Sequence, residues 1–230
     1  MALQTQLLFG DQRHYYLCHY KSKAAGSDHL SQSLLRFKSG CEVDVEAWCS
    51  CATEELKKLE FPENTLILRA LSSSETFVTV NIGLDRLGAR LQEELKVHYE
   101  PGLLTKSKLT QPLKQLSKTE RQTELANTYQ FRTTNHKEWS TILILDDILT
   151  TGATLQAITT DIKQKLSKIR ILGFSLALSE RTSTLNPELS LQSNAYKWQQ
   201  PGGWIMQETD PDYITLESLK TAIRSNFESF

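Results

Sequence analysis

An α/β fold, with a parallel sheet flanked by helices, is predicted by three features of this 230-residue sequence. The first lies in residues 141–178. TILIL at 141–145 and IRILGFSLAL at 169–178 read as buried strands, and between them Leu155, Ile158, Ile162 and Leu166 recur at helical spacing. Two apolar strands joined by a helix within about 40 residues make a βαβ unit, which implies parallel strands and a right-handed crossover. The second feature is TLILRAL at 65–71, another short apolar run of strand character. The third is composition. With 39% hydrophobic and 23% charged residues, the chain is ordinary for a globular protein and long enough to bury one α/β core.

The remaining elements follow in chain order. DHLSQSLLRFK at 28–38 reads as a helix, with Asp28 at its start and Gly40 just past its end. Val45, Trp48, Cys49, Ala52, Leu56 and Leu59 mark the next helix, which Pro62 stops. SSSE at 72–75 is a loop, and Val78 to Ile82 reads as a second short extended piece. Leu84, Leu87, Leu91 and Leu95 mark a helix, with Gly88 on the same face for close packing. Residues 100–128 are polar and carry no assignment, and Tyr129 to Arg132 reads as a strand. A last helix is expected from Thr215 to Phe227. There is no repeat and no linker, so the chain reads as a single domain over 1–230. It comprises a helical part at 1–60, a core at 61–181 and a C-terminal cap at 182–230.

Several function classes are disfavoured. A net charge of −1 creates no general field for nucleic acid or an acidic membrane. No apolar run is long enough to span a bilayer, and MALQTQLLFGDQRHYY makes a poor secretory signal, so a cytoplasmic location is expected. The cysteines Cys18, Cys41, Cys49 and Cys51 are too few for a disulfide framework. Cys49 and Cys51 would point roughly 200° apart on a helix, which suits a buried Cys49 and an incidental Cys51 better than a shared metal.

The chemistry concentrates in ILILDDILTTGATL at 142–155. A buried strand is expected to end at Leu145, with Asp146 and Asp147 at its carboxyl end, where open parallel sheets bind ligands. Thr150, Thr151, Gly152, Ala153 and Thr154 then open a helix. Its first amides have no partner within the helix, and its dipole favours an anion. Gly152 lets a ligand approach the backbone, so the turn reads as a phosphate cradle. The carboxylates suit sugar hydroxyls or a divalent cation, which prefers hard oxygens. The alternative is an N-capping turn that happens to follow two acids.

This segment resembles the 5-phosphoribosyl diphosphate (PRPP) motif of the type I phosphoribosyltransferases: apolar strand, two acids, two apolar residues, then T-T-G-x-T. The resemblance implies a type I phosphoribosyltransferase-like sheet with small N- and C-terminal additions. It also implies a transferase that moves 5-phosphoribosyl from PRPP to an unidentified nitrogen acceptor. Asp146 and Asp147 would contact the ribose hydroxyls and hold Mg2+, directly or through water, and Thr150 to Thr154 would hold the 5-phosphate. The alternatives are a sensor of PRPP or a nucleotide, or an interaction module with a vestigial pocket.

LLRFKSG at 34–40 and LSKTERQTELANTYQF at 116–131 are similar to the ComF branch of that family. The paired C-x-x-C module of ComF relatives is absent, and Glu124 stands where they carry asparagine. Arg121 matches the branch's arginine and is assigned a catalytic role. Lys106, Lys108, Lys114 and Lys118 lie in the same polar stretch, which in the family closes over the diphosphate. By position, Arg69, Ala70, Ser72 and Ser73 resemble the diphosphate loop. Thr150 stands where the 6-oxopurine enzymes carry an aspartate, which argues against hypoxanthine or guanine as acceptor. Tyr196, Trp198 and Trp204 read as packing residues of the cap, with a hood over an acceptor base as the rival. From charge and the short apolar runs no membrane partner is expected and a nucleic-acid partner is disfavoured, while a homodimer stays open.

Overall fold

The computed structural model describes residues 3–8, 12–21, 28–79, 82–109, 125, 128–133, 138–179 and 215–228. Strands β1 (Gln4–Leu8) and β2 (Gln12–Tyr20) lead into helices α1 (His29–Ser39) and α2 (Glu42–Leu56). Then come β3 (Thr65–Arg69), α3 (Ile82–Leu95), β4 (His98–Tyr99), β5 (Leu104–Lys106) and β6 (Tyr129–Phe131). β7 (Thr141–Leu149), α4 (Ala153–Lys165), β8 (Arg170–Ser179) and α5 (Leu216–Glu228) complete the described elements. The main sheet has the order β1-β2-β8-β7-β3-β4. Every pairing in it is parallel except the β1–β2 hairpin, and β5–β6 forms a separate antiparallel pair.

The sheet divides its side chains by the two-residue period of a strand. Ile67, Leu143, Leu145, Leu172 and Phe174 face α1, α2, α3 and α5. Leu66, Leu68, Ile142, Ile144 and Ile171 face the other way, toward α4 and the β5–β6 pair. Burial on both faces is why β3 and β7 read as continuous apolar runs.

α1 is fixed at both ends. The Asp28 carboxylate accepts from the Ser31 amide at 2.8 Å, and Gly40 ends the helix at φ 84°. Arg36 and Ser33 both donate to the buried Asp44 of α2, and the Trp48 indole donates to Ser33 Oγ. Gly83 leaves no room for a Cβ beside the Phe37 ring, so α1 and α3 pack closely. Gly88 does the same against Tyr99, with a built Cβ only 2.3 Å from the ring. Gly88→Ala is therefore expected to cost about 1–3 kcal/mol in a chemical denaturation experiment, as overpacking does.

Four expectations change. The N-terminal part is not helical throughout: β1 and β2 precede its helices and extend the sheet. Gln12 and His14 are buried in β2, and these polar residues break up the apolar pattern that would have marked a strand. Val78 and Thr79 form no strand, and Ile82 already begins α3. Cys51 is as fully buried as Cys49. α2 is covered on two sides, so Cys49 faces α3 through Gly83 while the other side lies under α5. Finally, α5 is part of the main core, with Leu219 and Ile223 wholly buried, rather than an appended cap. Among the described residues, no helix is long and apolar enough to cross a membrane.

Candidate ligand-binding site

The strand order creates a crevice between β3 and β7. From β3 the chain crosses by α3 to β4 on one side; from β7 it crosses by α4 to β8 on the other. α3 and α4 lie on opposite faces of the sheet. The carboxyl ends of β3 and β7 therefore diverge, which is the place where open α/β sheets take ligands.

Asp146 and Asp147 stand at that point. β7 runs on to Leu149 rather than stopping at Leu145, because its pairing with β8 continues to Leu149↔Leu178. Its pairing with β3 stops at Arg69↔Leu145. The acidic pair is thus held by a neighbour on one side and open on the other. Each carboxylate is also tied to the backbone ahead of it: Asp146 Oδ1 accepts from the Asp147 amide at 2.9 Å, and Asp147 Oδ1 from the Ile148 amide at 2.7 Å. Asp147 Oδ2 forms an ion pair with Lys38, at the last turn of α1. Burial, and then the neighbouring Asp147 charge, push Asp146 up to about 7 against the pull of Lys38 and Lys106. Burial alone would lower Lys38, but attraction to Asp147 and Asp146 outweighs it and holds its pKa above the usual value.

The turn after β7 meets the needs of an anion. Gly152 precedes α4 at φ 72°, a left-handed conformation that glycine adopts freely. Among the described residues no side chain caps α4, in contrast to Asp28 at α1. The first-turn amides and the positive end of the helix dipole therefore follow the acidic pair directly, at the turn that leaves β7. Tyr129 links this turn to the loop after β3. Its hydroxyl donates to Leu71 O at 3.3 Å and also interacts with Thr154. Lys106 lies 5.3 Å from the Tyr129 ring centre and donates to Ser72 O at 2.5 Å. Burial lowers Lys106 to about 8, although Glu75 and Asp146 pull it up.

No protein-family model and no curated protein matches the sequence. Solved structures that it resembles include phosphoribosyltransferases. A hypoxanthine phosphoribosyltransferase from Staphylococcus aureus is 18% identical over 59% of this chain and 62% of its own, with a TM-score of 0.36. An adenine phosphoribosyltransferase from Leishmania tarentolae is 13% identical over 78% of this chain and 96% of its own, at 0.35. A xanthine-guanine-hypoxanthine phosphoribosyltransferase from Helicobacter pylori is 13% identical over 73% of this chain and 80% of its own, at 0.33.

The residues singled out from the sequence fare differently. Asp146, Asp147, Thr150, Thr151, Gly152, Ala153 and Thr154 come together at one end of β7 and the start of α4. Arg69 does not join them as a ligand contact. It is wholly buried, and all five of its N–H donors are spent on protein. Nε donates to Asp85 at 2.7 Å, and the two terminal nitrogens donate to Glu75, Ala70 O and Thr79 O. Ala70 is buried, and the Ser72 amide donates to Glu75 at 2.8 Å. Of the expected diphosphate loop, Ser73 is half-buried and the Ser72 side chain is exposed, with Ser72 Oγ 3.1 Å from Ser74 Oγ. Lys106 ends β5 instead of lying in a loop. Arg121, Lys114, Lys118, Glu124, Tyr196, Trp198 and Trp204 lie outside the described residues. Sequence reasoning assigned no role to Lys38 or Tyr129. The only hint of Lys38 is its place in LLRFKSG, and Tyr129 is marked only as part of a short strand.

Proposed function

We propose that the crevice between β3 and β7 binds PRPP, and that the chain is a phosphoribosyltransferase-like protein passing 5-phosphoribosyl to a nitrogen acceptor. One observation carries this reading: the adjacent carboxylates of Asp146 and Asp147 are followed directly by an uncapped helix N-terminus opened by Gly152 at φ 72°. Anion-binding amides on one side and hydroxyl-binding carboxylates on the other match the two ends of a phosphorylated ribose. The ComF-like affiliation belongs to the same proposal.

In the proposed reaction the bond from ribose C1 to diphosphate breaks and a bond from C1 to the acceptor nitrogen forms. Positive charge develops on the sugar, and Asp147, with Asp146 once it has lost its proton, stabilises that charge electrostatically. The α4 amides with Thr150, Thr151 and Thr154 would hold the 5-phosphate. Lys106 would face the departing diphosphate, and the same charge-neutralising role is proposed for Arg121 from its match to the family pattern alone. The two carboxylates offer the hard oxygens that magnesium prefers. Among the described residues no cluster of three or more metal-binding side chains exists, so the ion's other ligands would be oxygens of PRPP or water. Magnesium so held would neutralise charge on the diphosphate.

The test is calorimetric titration of PRPP with magnesium. Wild type is expected to bind, and Asp147→Asn, which keeps the Oδ1 acceptor but loses the charge, to bind at least about tenfold more weakly, or about 1.4 kcal/mol. No binding by the folded wild type would sink the reading and favour an interaction module. A second reading, a sensor that binds PRPP without turnover, draws on the consumption of Arg69 and the Ser72 amide by Glu75 and Asp85. Binding without diphosphate release across a panel of nitrogen acceptors would favour it.

A further inference from the structure

Lys38 stands out because it reaches the acidic pair from a different layer of the fold. It sits on α1, 109 residues before Asp147 in the chain, yet its ammonium contacts Asp147 Oδ2. We infer that Lys38 is a ligand-binding residue of this site, a built-in cation that holds the hydroxyl end of PRPP and makes binding largely independent of divalent metal. The inference rests on the PRPP reading of the crevice and names a contact that the motif does not contain.

Three observations support it. First, the position is fixed. α1 is capped by Asp28, closed by Gly40, tied to α2 through Arg36 and Asp44, and wedged against Gly83 by Phe37. The residue next to Phe37 therefore presents its ammonium to the site from a rigid base. Second, the side chain is 49% exposed while Asp147 is 14% exposed. An ammonium has three donors, and among the described residues the Asp147 contact takes one, so others can point at a ligand. Third, two adjacent carboxylates repel each other and a ligand that carries phosphates. Lys38 places a positive charge where a divalent cation would otherwise be needed to relieve that repulsion. A carboxylate that accepts and an ammonium that donates, side by side, suit vicinal hydroxyls, which do both.

The experiment titrates PRPP into wild type, Lys38→Met and Lys38→Arg, each with excess EDTA and with excess magnesium. Methionine keeps the aliphatic stem but leaves the mostly buried Asp147 without its cation, so a melting curve first establishes that each variant is folded at the titration temperature. Wild-type affinity is expected to agree within about threefold between the two conditions, whereas Lys38→Met should fall about tenfold or more in EDTA and recover in magnesium. Lys38→Arg should retain most of the EDTA affinity. Inorganic diphosphate should bind Lys38→Met as it binds wild type, because Lys38 serves the hydroxyl end. The inference is overturned if Lys38→Met binds PRPP like wild type in EDTA. It is equally overturned if EDTA abolishes wild-type binding while magnesium supports it, or if diphosphate affinity falls in parallel. Failure of wild type to bind PRPP in either condition overturns the PRPP reading itself, and this inference with it.

Discussion

Replacing Arg69 by methionine is expected to destabilise the fold by about 3–5 kcal/mol, the cost of removing one partner from a buried ion pair. Arg69 is 0% exposed, and Glu75 is 6% exposed. The guanidinium grips Glu75 at 3.0 and 2.8 Å and Asp85 at 2.7 Å, and Tyr99 adds a hydrogen bond to the same Asp85 oxygen. Burial alone would raise Glu75, but Arg69, Thr79 and the Ser72 amide hold it well below the usual carboxylate range. Burial likewise opposes the charge on Arg69, and Glu75 and Asp85 more than restore it. Methionine would leave both acids without their cation. Lysine is not expected to rescue, because a single ammonium cannot reproduce five directed donors. Urea denaturation of each variant without ligand is the measurement. The pair Arg69→Met with Glu75→Leu should lose less than Arg69→Met alone, since it leaves no isolated Glu75 charge. A loss under about 1 kcal/mol for Arg69→Met would show that the cluster is not the anchor of the Ser72–Thr79 loop.

The same residue shows where a sequence stops being informative. β7, α4 and the acidic pair were legible because each depends on neighbours within a few positions: an apolar run, a glycine turn, a helical repeat. α1 was legible because Asp28 and Gly40 sit at its two ends and their capping geometry is local. An arginine at the end of an apolar strand, by contrast, looks the same whether it meets a ligand or a carboxylate. Its partners lie 6 and 16 residues away, on a loop and on the next helix, and only the packing of α3 against β3 brings them in. Lys38 is the opposite case, an apparently ordinary surface lysine that a strand distant in the chain turns into part of the site. β2 was missed because the buried Gln12 and His14 disguise it, and His14 has a measurable consequence of its own.

Acidification from pH 7 to pH 5 is expected to weaken the fold through His14 and His19 by about 4 kcal/mol in sum, about 2 kcal/mol from each. Burial lowers His14 to about 3, and burial and then Lys21 lower His19 to about 4. Above pH 6.5 both residues are neutral in the folded and unfolded chain, and their contribution is fully present. As pH falls through 6.5, the unfolded chain takes up the protons and the folded chain does not, so stability drops until the folded values are reached. His14 has no room to relax. It is 0% exposed, its Nε2 lies 2.8 Å from Ser175 Oγ, and a Cβ on Gly173 would stand 2.3 Å from its Nδ1. Asp146 acts in the opposite direction. Its raised value lets the folded chain bind a proton that the unfolded carboxylate releases between about pH 4 and 7, which stabilises the fold on acidification. The net slope therefore mixes signs, and the contribution of His14 has to be read as a difference. His14→Gln keeps a hydrogen-bonding partner for Ser175 but cannot titrate. Measured by urea denaturation at both pH values, it should lose about 2 kcal/mol less than wild type between pH 7 and pH 5, whatever its stability at pH 7. Equal losses in the two proteins would mean that His14 protonates in the folded state near its ordinary value, and that β2 opens to admit the charge.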